Sequence, residues 1–310
     1  MEETREKVKV WPRKDISRET YMTRVTSKRG AGRGYELEGA VGMYPSVTHI
    51  LSYTTVKHAL PQWYAKKVAE KAGEHWQNEY KPRHDTPVDE FIKDIKSAPS
   101  EEFKHAGKVG TEVHDLINKA IRYKMDNPYT TWEEISEFGE RTQYPEPEVG
   151  VAFKNWVAFI IANYPDIVFL ETEFATYIDG HVVSPDHGGT VNIPLYAGTV
   201  DAVGLTPDHK LVVFDWKTGS GIYDEAGYQV AAYCNSIWNG NEQLADIYGG
   251  ITGAVVRLSK TDAEFEVKTI TDWERPSIVF KTMCSLYTQL SYPVFDKKAK
   301  MPRKKKVSNA

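Results

Sequence analysis

Three residues near the middle of the chain could do chemistry together. The stretch "GTVDAVGLTPDHKLVVFDWKTG", residues 198–219, places Asp201 near the end of one apolar run and Asp215 and Lys217 at the end of the next. Side chains alternate along a strand, so Asp215 and Lys217 share a face while Trp216 points the other way. If the "TPDH" turn closes a hairpin, the two carboxylates converge. Carboxylate oxygens are the usual ligands of Mg²⁺, which takes one or two of them plus waters and substrate phosphate. A lysine two residues past such an acid can orient or help deprotonate a water, or stabilise charge on a phosphate. A lone Asp-x-Lys is most often a surface ion pair of little energetic weight, so the rest of the chain must decide.

Gln229 and Tyr233 lie four apart in "DEAGYQVAAYCNSIWN", on one face of a helix that directly follows the Asp-x-Lys strand. An amide and a phenol both suit hydrogen bonds to phosphate oxygens or to a catalytic carboxylate. His114, in "GTEVHDL", falls beside the apolar stripe of a long helix, where an isolated histidine is most often a packed core residue. Glu173, in "LETEFATY", falls on the first strand of the β-rich half.

The elements that must position these residues come in two blocks. Helical periodicity runs through "ALPQWYAKKVAEKAGEHWQNEY", "EEFKHAGKVGTEVHDLINKAIRYK" and "PEVGVAFKNWVAFIIANY". The stripe of the second of these is Phe103, Ala106, Val109 or Gly110, Val113, Ile117 and Ala120 or Ile121. Pro45 and Ser46 mark a helix entry, Pro82 and Pro87 a break, and residues 126–147 read as a polar loop or lid. The pattern then changes to alternation: "DIVFLETEFATYI", "IPLYAGTVDAVGL", "KLVVFDWKT", "YGGITGAVVRLS" and "EFEVKTI" are strands, with a helix after the third and another at the end. The expected class is α/β (α+β), a mixed central sheet flanked by helices under an N-terminal helical cover. The expected division is a basic N-terminal arm or small hairpin over 1–43, a single domain over 44–292 (helical cover 44–165, sheet core 166–292), and a basic disordered tail over 293–310.

Composition narrows the partners. With 39 basic and 43 acidic residues the net charge is −4, which argues weakly against a nucleic-acid binder. The distribution matters more: basic residues gather in the first 35 positions and in "KKAKMPRKKKVSNA", acidic ones in the middle. A cationic rim around an acidic centre suits a metal-dependent enzyme acting on a polyanion. No run approaches the roughly 20 apolar residues that span a bilayer, and "MEETREKVKVWPRK" does not read as a secretory signal. Two cysteines, Cys234 and Cys284, point to a reducing, cytoplasmic setting and cannot alone hold a four-thiolate cluster. Trp63, Tyr64 and Trp76 could stack on unpaired bases or simply pack helices. "PRKKKV" resembles a nuclear import signal, and reads more plainly as a phosphate-binding tail.

Taken in order, His114, Glu173, Gly198-Thr199-Val200-Asp201, Asp215-Trp216-Lys217-Thr218 and Gln229-x-x-x-Tyr233 resemble the motifs of the PD-(D/E)XK nuclease superfamily, in its RecB-like exonuclease branch. "YPSVTHIL" followed by "LPQWYAKK" is similar to bacteriophage members, and the resemblance covers roughly residues 44–260. It implies a restriction-endonuclease-like core that cleaves DNA phosphodiester bonds with Mg²⁺ or Mn²⁺. By position, Asp201 and Asp215 match metal-binding acids, Lys217 the catalytic lysine and His114 the branch-marking histidine that can ligate metal. The Trp216 carbonyl matches a further ligand, Gln229 and Tyr233 a substrate-binding pair, and Glu173 an acid of the first core strand. Relatives with an iron–sulfur cluster carry four cysteines, so no such cluster is expected here. The implied partners are DNA strands or ends, with a recombinase, helicase or single-strand-binding protein. No G-x-x-x-x-G-K-[ST] loop occurs, so a motor would be a separate chain. An endonuclease and a catalytically silent DNA-binding module are the rival readings. A carboxylate glycosidase needs no lysine at that spacing.

Overall fold

The computed structural model describes residues 3–12, 19–27, 33–40, 42–55, 59–78, 88–142, 144–183, 190–239 and 243–291. The tail over 293–310, including "PRKKKV", and the side chain of Trp76 lie outside them. Within them the chain is α+β, with eight helices and two sheets.

The larger sheet has five strands in the order β5 (Val168–Val183), β6 (Thr190–Leu205), β7 (Leu211–Lys217), β8 (Ile251–Leu258) and β9 (Phe265–Ile270). All neighbours are antiparallel except β7 and β8, which run parallel. A parallel pair needs a crossover, and α6 (Asp224–Trp238) supplies it. The central strand β7 is buried on both faces from Leu211 to Trp216, as its near-continuous apolar run requires. Leu211 and Val213 enter a core with α1 (Val47–Thr54), α6 and α8 (Glu274–Ser291). Val212, Phe214 and Trp216 enter a second core with α3 (Val88–Asp126), α4 (Trp132–Arg141) and α5 (Pro147–Asn163). The sheet is therefore the middle of three layers, and the alternation of β7 assigns Asp215 and Lys217 to the α6 side. The "TPDH" turn joins β6 to β7 as a hairpin, with His209 donating to the Thr206 carbonyl and its φ at +59°.

Three expectations are corrected. Residues 1–43 hold β1 (Glu3–Lys9), β2 (Tyr21–Ser27) and β3 (Arg33–Leu37), which with β4 (Tyr44–Pro45) make an antiparallel four-stranded sheet. Val8, Val10, Met22 and Tyr35 are buried against Ala175, Tyr177 and Ala197 of the larger sheet. Apolar residues at alternate positions outweighed the charges between them. Residues 126–147 are not simply a loop: α4 forms there on a capping box, Thr131 accepting from the Glu134 N–H and Glu134 from the Thr131 N–H, with Trp132 and Ile135 buried. The stripe of α3 begins at Val109, because Phe103 is 62% exposed. Of the two remaining helices, α2 (Ala59–Asn78) packs on α3, and α7 (Leu244–Ile247) is a single turn before β8.

Candidate functional site

A cleft of about 920 Å³ opens at the junction of the two sheets and α3, and His114, Glu173, Asp201, Asp215, Lys217, Gln229 and Tyr233 all line it. Five elements deliver them. His114 comes from α3, Glu173 from β5, Asp201 from β6, Asp215 and Lys217 from β7, and Gln229 and Tyr233 from α6.

The carboxylates divide into two groups. Asp201 faces α3: its Oδ1 lies 3.3 Å from His114 Nδ1, while its Oδ2 accepts the Trp216 backbone N–H at 2.7 Å. Thr172 pairs with Ala202 and Phe174 with Val200, which brings Glu173 across from Asp201. Glu173 has φ +49°, a left-handed backbone that costs a non-glycine residue on the order of 1 kcal/mol or more and clusters at functional positions. Oxygens of Glu173 and Asp201 and a ring nitrogen of His114 lie within 4.8 Å of one another, close enough to share one cation.

Asp215 faces α6 instead. Lys217 Nζ donates to its Oδ1 at 2.9 Å, and Gln229 Nε2 to the same oxygen at 2.8 Å. Gln229 also accepts from Lys217 at 3.3 Å and donates to the Tyr233 hydroxyl at 3.2 Å. The amide thus braces acid and lysine in one network. Asp215 is 1% exposed, and its Oδ2 sits 2.6 Å from Lys217 Nζ without an aligned hydrogen bond. Trp216 keeps its ring in the core, against Trp156, Phe159 and Phe214.

Electrostatics follow from burial and pairing. Burial lowers the basicity of His114, but Asp201 and Glu173 outweigh it and lift its pKa to about 9. Burial and the Asp201 charge push Glu173 up to about 7, with His114 and Arg24 opposing. Burial also raises Asp215, to about 6, against the pull of Lys217. Asp201 stays below the ordinary aspartate range: burial works against it, and His114, Lys217 and the Trp216 N–H prevail. Lys217 loses basicity through burial and regains more from Asp215 and Asp201. Carboxylates this close are disfavoured unless a cation joins them, and Asp215 Oδ2, buried and in ion-pair contact with Lys217, has no aligned hydrogen bond. The donor set therefore fits a divalent cation.

The expected substrate-binding pair, Gln229 and Tyr233, spends its hydrogen bonds on Asp215 and on each other. Tyr233 fits only because Gly198 stands opposite, where a Cβ would come within 2.5 Å of its ring. Trp63 and Tyr64 pack edge to face on α2, away from the residues that line the cleft. Sequence reasoning read the basic N-terminal stretch, Arg24 and Arg33 included, as an arm or hairpin able to meet phosphates, and missed that β1–β3 build a wall whose Lys7, Lys9, Arg24 and Arg33 line the cleft. The alternation in "EKVKV" and "YMTRV" was the available signal. A second cluster, His105, Glu146 and Glu148, is more exposed, and Lys108 already pairs with Glu146 at 2.7 Å. Cys234 and Cys284 are both buried, with burial raising both thiols. No helix among the described residues is long and apolar enough to cross a membrane.

No family model matches the chain, and no curated protein does. Among solved structures, "Crystal structure of SSO0001" is similar at 16% identity and a TM-score of 0.27, over 59% of this chain and 77% of that one. At that score the likeness carries no argument.

Proposed function

We propose that the chain is a metal-dependent deoxyribonuclease of the PD-(D/E)XK superfamily, RecB-like branch, that hydrolyses DNA phosphodiester bonds. Exonuclease action on single strands or ends fits best, in phage or viral replication, recombination or repair. One observation carries the reading: two acids, a lysine, a histidine and a bracing glutamine, spread over more than a hundred residues of sequence, line one cleft. The mixed sheet with its β7–α6–β8 crossover and helices on both faces supports the core that the motifs resemble.

His114, Glu173 and Asp201 are the residues that would hold the cation, with Asp215 Oδ2 and the Trp216 carbonyl as the further ligands the resemblance suggests. Such an ion supplies Lewis acidity at a phosphoryl oxygen and neutralises negative charge. An imidazole in the set favours a transition ion such as Mn²⁺ over Mg²⁺. Lys217, anchored on Asp215, presents an ammonium at the cleft floor, where it orients the attacking water or offsets charge on the phosphorus. Gln229 fixes the rotamers of both. Asp201 holds His114 through Nδ1 and fixes the ring orientation.

Digestion of end-labelled single-stranded and duplex DNA with Mg²⁺ or Mn²⁺ tests this. Progressive shortening that stops with EDTA and in Lys217→Ala is the expected result. Scattered internal cuts would make it an endonuclease. The second reading is a silent DNA-binding module, favoured by the closed pairing of Asp215 with Lys217. Binding without any cleavage, in folded protein with metal present, would select it.

A further inference from the structure

The floor of the cleft sets three carboxylates beside Lys217 and His114, which are already paired with Asp215 and Asp201, so a polyanion brought to it needs further cations. The opposite wall is the small sheet. From β1, β2 and β3 come Lys7, Lys9, Arg24 and Arg33, against the single carboxylate of Glu6. Arg24 forms an ion pair with Glu6 and reaches toward Thr199, two residues from Asp201, at 3.5 Å. Lys9 pairs with Glu171 at 3.0 Å. Lys7 and Arg33 have no acidic partner among the described residues. Tyr21 also lines the cleft; it stands directly across from Lys9 in the ladder, on the face of Lys7 and Lys9, and is 47% exposed, with its hydroxyl donating to Glu19 at 3.3 Å. Its ring is the exposed large aromatic on this wall, since Tyr35 is buried and its hydroxyl pairs with Thr199 at 2.9 Å.

Cations and an exposed aromatic face lining one cleft are the chemistry of unpaired nucleic acid. Phosphates meet the cations, and bases, which expose their faces only when unpaired, stack on the ring. A duplex hides those faces and would leave Tyr21 unused. A cleft of about 920 Å³ with its acids recessed at the floor takes a few nucleotides of one strand. We infer that the β1–β3 wall is a guide for one unpaired strand of nucleic acid, with Lys7 and Arg33 taking phosphates and Tyr21 stacking a base. This rests on the nuclease reading for what enters the cleft, and adds which form of it and which residues select that form.

The test is fluorescence anisotropy on the full chain in EDTA, so that nothing is cleaved, with labelled oligothymidine and a blunt hairpin duplex across a salt series. The single strand should bind more tightly. The double variant Lys7→Gln/Arg33→Gln should weaken binding and make the slope of log K against log salt shallower by about 1.4, since each single-strand phosphate left without its cation removes roughly 0.7. Tyr21→Ala should weaken single-strand binding roughly tenfold, leaving the slope and the duplex affinity as they were. Thermal unfolding matched to the parent shows that each variant folds. Tighter binding of duplex, or affinity and slope unchanged in both variants, overturns the inference. A parallel Mn²⁺ digestion separates the two ideas. Cleavage in a protein whose binding ignores the wall removes the guide and leaves the nuclease. Wall-dependent single-strand binding without cleavage removes the nuclease and leaves the guide.

Discussion

Glu173 and His114 both keep their protons to higher pH in the folded chain than in the unfolded one. For Glu173 the ordinary value of 4.5 rises to about 7, and for His114 6.5 rises to about 9. A raised folded value means that the folded state binds more protons, so the associated stability is complete below the unfolded value and is lost as pH climbs through the folded one. The two windows run together from about pH 4.5 to 9. The cation-free protein should therefore lose melting temperature between pH 6 and pH 9, and His114→Gln should flatten that decline. A divalent ion must displace those protons, so Mn²⁺ should raise the melting temperature more at pH 8 than at pH 6. Differential scanning fluorimetry with and without Mn²⁺ reads this directly, and a metal shift independent of pH would contradict the assigned donors. Asp201, Asp215 and Lys217 were legible in the sequence because acids and a lysine are out of place at the ends of apolar strands. The division of labour was not. That Asp215 turns to Lys217 and Gln229 while Asp201 turns to His114 depends on which helix packs on which face of the sheet.

At the level of elements, β6 and α6 approach so closely at Gly198 that the Tyr233 ring occupies the place of a side chain. Gly198→Ala pushes a methyl into that ring. The ring carries the hydroxyl that Gln229 reaches, and Gln229 holds Asp215, so the disturbance travels to the acid. Overpacking of this kind costs about 1–3 kcal/mol. Urea unfolding should show a loss of that size, and Gly198→Ala should also cleave more slowly than Tyr233→Phe, which keeps the ring volume. Equal rates would show that the hydroxyl and not the close approach is what matters. The strands of the larger sheet and the long helices were readable from their periods of two and 3.6. α4 was not, because its short apolar face of Trp132 and Ile135 lies among glutamates, and only its capping box marked it. The small sheet was obscured for a similar reason, since its lysines, arginines and glutamates outnumber the few apolar residues that anchor it.

For the molecule as a whole, three layers place the site at one margin of the larger sheet, and the small sheet closes over that margin. The net charge of −4 says little about the cleft, whose lining carries acids and cations side by side. β5 is the outermost strand of the larger sheet, sixteen residues long. Its free side meets β1: Val10 bridges Ala175, the Trp11 N–H donates to the Ala175 carbonyl, and Ala175 and Tyr177 are buried beneath the small sheet. A long strand edge stripped of its cover is a template for a neighbour's strand. The small sheet and the bridge at Val10 thus cover part of an edge that could otherwise recruit a second chain. A chain that begins at residue 44 should form concentration-dependent aggregates in light scattering even where its helices fold, and a monodisperse shortened chain would show the edge to be protected in another way.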